Sequence, residues 1–205
     1  MTIVHRIGIL VTAAALSATC APVSATPLSI VEVGFPAVNC LFQPSCVITV
    51  SDTTSDVNLG FDSGSGFFQS RIWNSAAGTP AAGKTGYLYR LDLRGAIGST
   101  ECVLGATINF GPVAKLPYKG LTFSDVFVGT SGGLGTIKLK SAEQEGGVIT
   151  FTFAKPVCAK AGAIAGQTTF FFGLASIKPP HATTGTLFAA GAPPFIGIGL
   201  RAPNF

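Results

Sequence analysis

Tyr87-Leu88-Tyr89-Arg90-Leu91-Asp92-Leu93-Arg94 decides how this chain folds. Tyr87, Tyr89, Leu91 and Leu93 alternate with Leu88, Arg90, Asp92 and Arg94. A repeat of two belongs to a β-strand with one buried and one wetted face, and no helix presents its side chains that way. The expectation is that the tyrosines and leucines at odd positions enter a core while Arg90, Asp92 and Arg94 meet water.

The same signature recurs on both sides of this stretch. Short runs rich in Val, Ile, Thr, Phe and Tyr stand between clusters of Gly, Pro, Asn and Ser, and no run of helical length keeps a 3.6-residue period. The spacing predicts strands at Ser29–Val33, Cys46–Ser51, Gly66–Trp73, Gly86–Arg94, Glu101–Phe110, Leu121–Val128, Gly135–Lys140, Val148–Ala154, Gln167–Ile177 and Phe195–Arg201. Gly146-Gly147 has the chemistry of a hairpin turn between the strand ending near Lys140 and Val148-Ile149-Thr150-Phe151-Thr152-Phe153. The fold class is therefore all-β, an antiparallel β-sandwich or jelly roll of about ten strands. No internal repeat or linker divides it. The Pro- and Gly-rich stretch from Lys178 to the end reads as a looser segment of the same domain.

The N-terminus reads as an export signal. His5 and Arg6 precede an apolar run, Ile7 to Leu16, and Val23-Ser24-Ala25 offers a small-x-small cleavage site. That run is far below the roughly 20 residues a membrane-crossing helix needs. Residues 1–25 are thus expected to be a cleaved signal peptide and 26–205 a single secreted, envelope or periplasmic domain. No integral membrane segment is expected after cleavage. Cys20 lacks the preceding Leu and the adjacent Gly or Ala of a lipoprotein signal; Ser17 and Thr19 stand there instead. At the other end, Phe205 could close an outer-membrane barrel, but Pro203, Arg201, Gly199 and Gly197 occupy the alternate positions where such a strand carries apolar residues.

Cleavage leaves Cys40, Cys46, Cys102 and Cys158, an even set in an exported chain, for which three disulfide connectivities exist. The favoured one pairs Cys40 with Cys46 around the turn residues Pro44 and Ser45, and Cys102 with Cys158. A metal site from the same cysteines fails for want of a CxxC spacing and because His181 is the one histidine left.

Composition narrows function further. The chain has 13 Lys+Arg against 9 Asp+Glu, and 47% of its residues are hydrophobic while 11% are charged. Its basic residues are scattered, so no nucleic-acid partner is indicated. A surface so poor in charge favours self-association or contact with glycan or matrix. Gly78-Thr79-Pro80-Ala81-Ala82-Gly83-Lys84-Thr85 matches the letters of a P-loop, yet an alternating strand follows it where a phosphate-binding helix should start. It reads as a loop, and no nucleotide or other cofactor is expected. His181, between Pro180 and Ala182, reads as a solvated loop residue and leaves a hydrolase triad without a base. Asp52, Asp56 and Asp62 read as turn residues lacking the spacing of a calcium loop. Trp73, Tyr87, Tyr89 and Tyr118 have the side chains to stack on sugars, though as a group they read as core or cross-strand aromatics. No catalytic, cofactor-binding or metal-binding residue is nominated.

Three segments resemble known sequences. Tyr87–Leu93, Asp125-Val126-Phe127-Val128-Gly129-Thr130-Ser131-Gly132-Gly133-Leu134-Gly135 and Phe170-Phe171-Phe172-Gly173-Leu174-Ala175-Ser176 are similar to stretches of uncharacterised bacterial secreted β-proteins, some of which bear PEP-CTERM sorting tails. The similarity spans residues 85–180. No Val-Pro-Glu-Pro tail stands in this sequence. The resemblance implies a bacterial envelope or extracellular protein and carries over no functional residue. The expected function is that of a non-enzymatic matrix, envelope or adhesion component. The alternative is a carbohydrate-active enzyme built on two carboxylates.

Overall fold

Alternation and turn chemistry convert into strands along most of the chain. The computed structural model describes residues 24–60, 62–98, 102–191 and 193–204. In chain order the strands are β1 (Thr26–Pro27), β2 (Ile30–Gly34), β3 (Ser51–Val57), β4 (Ser63–Gly64), β5 (Gly66–Asn74), β6 (Thr85–Asp92), β7 (Ala96–Ile97) and β8 (Cys102–Asn109). There follow β9 (Leu116–Tyr118), β10 (Leu121–Ser124), β11 (Val126–Ser131), β12 (Leu139–Glu145), β13 (Val148–Cys158), β14 (Phe172–Ser176), β15 (Pro180–Ala189) and β16 (Phe195–Pro203). The count exceeds the expected ten or so because several strands hold only two to four residues.

Two six-stranded sheets pack together as a β-sandwich. The first runs β1-β12-β13-β8-β15-β16 and the second β2-β11-β14-β6-β5-β3. All neighbours are antiparallel except β2 and β11, which run parallel, so the second sheet is mixed rather than purely antiparallel. Gly146-Gly147 makes the two-residue turn between β12 and β13, with Glu145 opposite Val148. Cys40–Cys46 and Cys102–Cys158 are both formed, as the spacing favoured. Cys102 and Cys158 face each other across β8 and β13.

The core between the sheets takes the odd residues of β6. Tyr87, Tyr89 and Leu91 are fully buried there with Ile108, Phe110, Phe151 and Phe172. Phe110 meets Tyr87 edge-on at 5.3 Å, a favoured aromatic geometry. Each phenol is satisfied by a backbone carbonyl: Tyr87 donates to Lys178 and Tyr89 to Arg201, both at 2.8 Å. Burial pushes the Tyr87 phenol up to about 12 and raises Tyr89 as well.

Several expectations are corrected. Residues 52–56, read as a solvated turn, are strand β3, and Cys46–Ser51, read as a strand, contributes only Ser51 to one. The stretch beyond Lys178, read as looser, is the antiparallel pair β15 and β16. His181 therefore sits in a strand, half-buried, with Nδ1 3.0 Å from the Ala202 carbonyl oxygen. The exposed edge of β16 is covered by serines of the second sheet: Gly199 and Arg201 donate their amides to Ser55 and Ser70 at 3.1 and 3.0 Å. This satisfies backbone donors that an open edge would leave unpaired. The predicted signal peptide and Cys20 lie mostly outside the described residues, as does Phe205. Among the described residues no helix is long and apolar enough to cross a membrane.

Candidate functional site: a roofed cleft on the second sheet

The largest departure from the sequence reading is the other face of β6. Arg90 and Asp92, expected in water, are 5% and 2% exposed. Their cover is local: Arg94 closes over the Asp92 carboxylate, and Gln69 with the rings of Phe67 and Phe171 flanks the Arg90 guanidinium. The other end of the same face lies under a roof. After β2 the chain crosses the outer face of the second sheet through a 3-10 segment, Ala37–Leu41, and an extended strap from Val47 to Val50. Cys40–Cys46 ties that segment to the head of the strap. Backbone bonds stitch the roof to the loop between β5 and β6: Ala76 and Ala81 donate to the carbonyls of Phe42 and Leu41 at 2.8 and 2.9 Å. The result is a second apolar cluster that includes Val38, Phe42, Trp73, Leu88, Phe127 and Phe171.

The buried charged groups of this face are paired, as burial demands. Asp92 accepts the Arg94 amide at 3.0 Å and its Nε at 2.9 Å, and Arg90 Nη1 lies 3.4 Å away. Burial alone would raise the Asp92 carboxyl, but the Arg94 hydrogen bonds and the charges of Arg94 and Arg90 outweigh it and hold the group below the ordinary carboxylate range. Arg90 donates Nε to Gln69 at 3.2 Å and lies over the rings of Phe67 and Phe171 at 5.4 and 5.1 Å.

Where the roof lifts, a cleft of about 400 Å³ opens. Phe35 and Asn39 form one side and the strap residues Ile48 and Val50 another. The sheet supplies Arg71, Trp73, Leu88 and Phe171, and Gly132-Gly133-Leu134 close the rim. Phe42 stacks on Trp73 at 4.9 Å and 17°, fixing the indole from above. Below, a Cβ on Gly86 would fall onto the same indole, so only glycine admits it. Gly132, at φ +70°, passes so close to the Phe35 carbonyl that a side chain there would collide with it. Arg71 lies 4.5 Å over the Phe171 ring and 2.7 Å from Asp52 Oδ1, an approach off the Nε–H axis. Asn39 Oδ1 and Trp73 Nε1 are buried without a hydrogen-bond partner. Such orphans are uncommon in a folded chain; both atoms are enclosed by protein, Nε1 lying against Gly86, and neither opens on the cleft. A wall of rings with a few polar groups is the ordinary makeup of a small-molecule pocket.

The sequence-named residues separate sharply. Trp73 enters this cleft, Tyr118 joins the apolar cluster beside it, and Tyr87 and Tyr89 belong to the inter-sheet core. The P-loop letters form the β5–β6 loop, whose neck is closed by Ser75 and Lys84 and which runs directly into strand β6. Among the described residues, no three of His, Cys, Asp and Glu gather where they could share a metal ion. Glu32 lines a separate surface cavity, and its Oε1 is paired with Lys138 at 2.6 Å. Phe35, Asn39, Arg71, Leu134 and Phe171 were not singled out from sequence. The signal that could have found some of them is the alternate set Gln69, Arg71, Trp73, which puts polar, cationic and aromatic groups on one strand face. No family model matches the chain, and neither a curated protein nor a solved structure is similar enough to be matched to it.

Proposed function

We propose that this chain is an exported, non-enzymatic binding component of a cell envelope or extracellular matrix, and that it acts through the roofed cleft. The observation that carries this reading is the cleft itself: Phe35, Trp73 and Phe171 surround it, Arg71 is the charged residue of its lining, and the neighbouring acid, Asp52, is tied to Arg71. A binding site needs such walls and a few polar groups, whereas a glycosidase needs two free carboxylates facing one space. Export is supported by the leader pattern of the sequence and by the two disulfides, which persist in oxidising surroundings. Bacterial origin rests on the resemblance of residues 85–180.

The test is a screen of the protein beginning at Thr26 against a glycan array and a panel of small amphiphiles, with light scattering to read its assembly state. Saturable binding is expected, weakened about tenfold or more by Leu134→Glu, which places a charge on the exposed rim (53% accessible) without entering the core. A clean monomer that binds nothing, binding indifferent to Leu134→Glu, or turnover of a glycan would overturn the proposal.

A further inference from the structure

We propose that the cleft selects amphipathic anions, holding a carboxylate on Arg71 and a flat apolar body among Trp73, Phe35, Val50 and Leu134; this rests on the reading of the cleft as a binding site. Arg71 carries the inference. Its side chain is 30% accessible, and its one polar partner among the described residues is Asp52, which approaches Nε. The two terminal amines are therefore left to meet a ligand, and a guanidinium presents them in the paired geometry that a carboxylate matches. The Phe171 ring beneath holds the guanidinium plane in place.

Charge favours the same ligand. Arg71, Arg90 and Arg94 share this face of the sheet with three acids, Asp52, Asp56 and Asp92; Asp92 is committed to Arg94 and Arg90, and Asp56 stands opposite Phe67. The face is balanced as a whole, but the lining of the cleft itself holds one charged residue, Arg71, next to an apolar space that weakens solvent screening. The rest of the lining takes an uncharged body: Ile48, Val50, Leu88 and Leu134 are aliphatic, and Phe35 and Trp73 are aromatic, their rings 6.2 Å apart. A volume of about 400 Å³ suits a small amphiphile rather than a polymer chain.

Trp73 is the only tryptophan of the chain, so its emission reports this cleft alone. The experiment titrates the protein with 2-naphthoate, with the uncharged 2-naphthalenemethanol and with the cationic 2-naphthylmethylammonium, reading Trp73 fluorescence and confirming by calorimetry. Naphthoate is expected to bind roughly tenfold or more tighter than the alcohol, the ratio set by charge-assisted over neutral hydrogen bonds, and the amine weakest. Arg71→Gln should erase the preference, with the thermal midpoint confirming that the variant is folded. Asp52→Asn, which removes the competing carboxylate, should tighten naphthoate several-fold. Equal binding of the three probes, or a preference that survives Arg71→Gln, overturns the anion inference and leaves the cleft reading standing. Failure of all three probes while the amphiphile panel gives hits also overturns this inference alone. Failure of probes and panel together overturns both.

Discussion

The outer faces of the two sheets solve the same problem in opposite ways. On the first sheet, Thr150, Thr107 and Thr186 stand side by side across β13, β8 and β15, half-exposed, with the core-facing row Phe151, Ala106 and Leu187 one residue along. On the second sheet the corresponding face carries Gln69, Arg71, Trp73, Leu88 and Arg90, and a roof covers most of it. A sheet face that meets water can be furnished with threonine and left alone. A face that carries an indole and guanidinium groups over phenylalanine needs a cover, and an incomplete cover leaves a cleft. The difference leaves a ring-lined cleft on the second sheet and a solvated threonine face on the first.

The largest expected effect concerns the sheet that is not roofed. Replacing both Cys102 and Cys158 with Ser removes a bond closing 56 positions of chain and should cost about 4 kcal/mol by denaturant titration. Ligand contacts in the cleft should persist in whatever fraction stays folded. If this pair proved dispensable, the first sheet would not depend on its cross-strand bond.

The next effect belongs to the buried charges of the second sheet. Asp92→Asn strands Arg90 in a buried position and should cost about 3 kcal/mol at neutral pH. Because the folded Asp92 carboxyl lies below its ordinary value, its contribution is complete above the unfolded value of about 3.9 and disappears as the pH falls through the lower folded one. Wild type and variant should therefore converge in denaturation curves taken below about pH 4, and a gap that stayed constant into acid would contradict the pairing.

Removing the Cys40–Cys46 bond with a double Ser substitution should cost about 2 kcal/mol, since the loop closed is short, with a separation of 6. Its signature is local: the strap loosens, Trp73 becomes accessible to acrylamide quenching, and the cleft loses its ligands. Smallest of all, Thr150→Ala on the open face should stay within about 0.5 kcal/mol of wild type. A larger loss there would mean that the first sheet is covered by something too.

How far the sequence was legible follows the same division. Val148 to Phe153 alternates cleanly because one of its faces meets water, and Gly146-Gly147 admits the tight turn before it. The cysteine pairing was legible because the short separation left little choice for the remaining pair. The roofed half was not. Val47-Ile48-Thr49-Val50 has strand composition but lies across a sheet as a strap, whereas Ser51-Asp52-Thr53-Thr54-Ser55-Asp56-Val57 has turn composition yet forms an edge strand against β5. Tertiary cover overrides local propensity in both. The alternation of β6 was read correctly as a strand, and its second face was misassigned because periodicity reports two faces without saying what covers them.

The claim that recognition resides on the roofed face has a direct readout in the single indole N–H of Trp73. With the protein labelled with ¹⁵N and titrated with 2-naphthoate, the Trp73 indole resonance and the amides of Asn39, Gly132, Gly133 and Leu134 should shift together and saturate, while those of Thr107, Thr150 and Thr186 hold still. Shifts centred on the threonine face, with Trp73 unmoved, would contradict it.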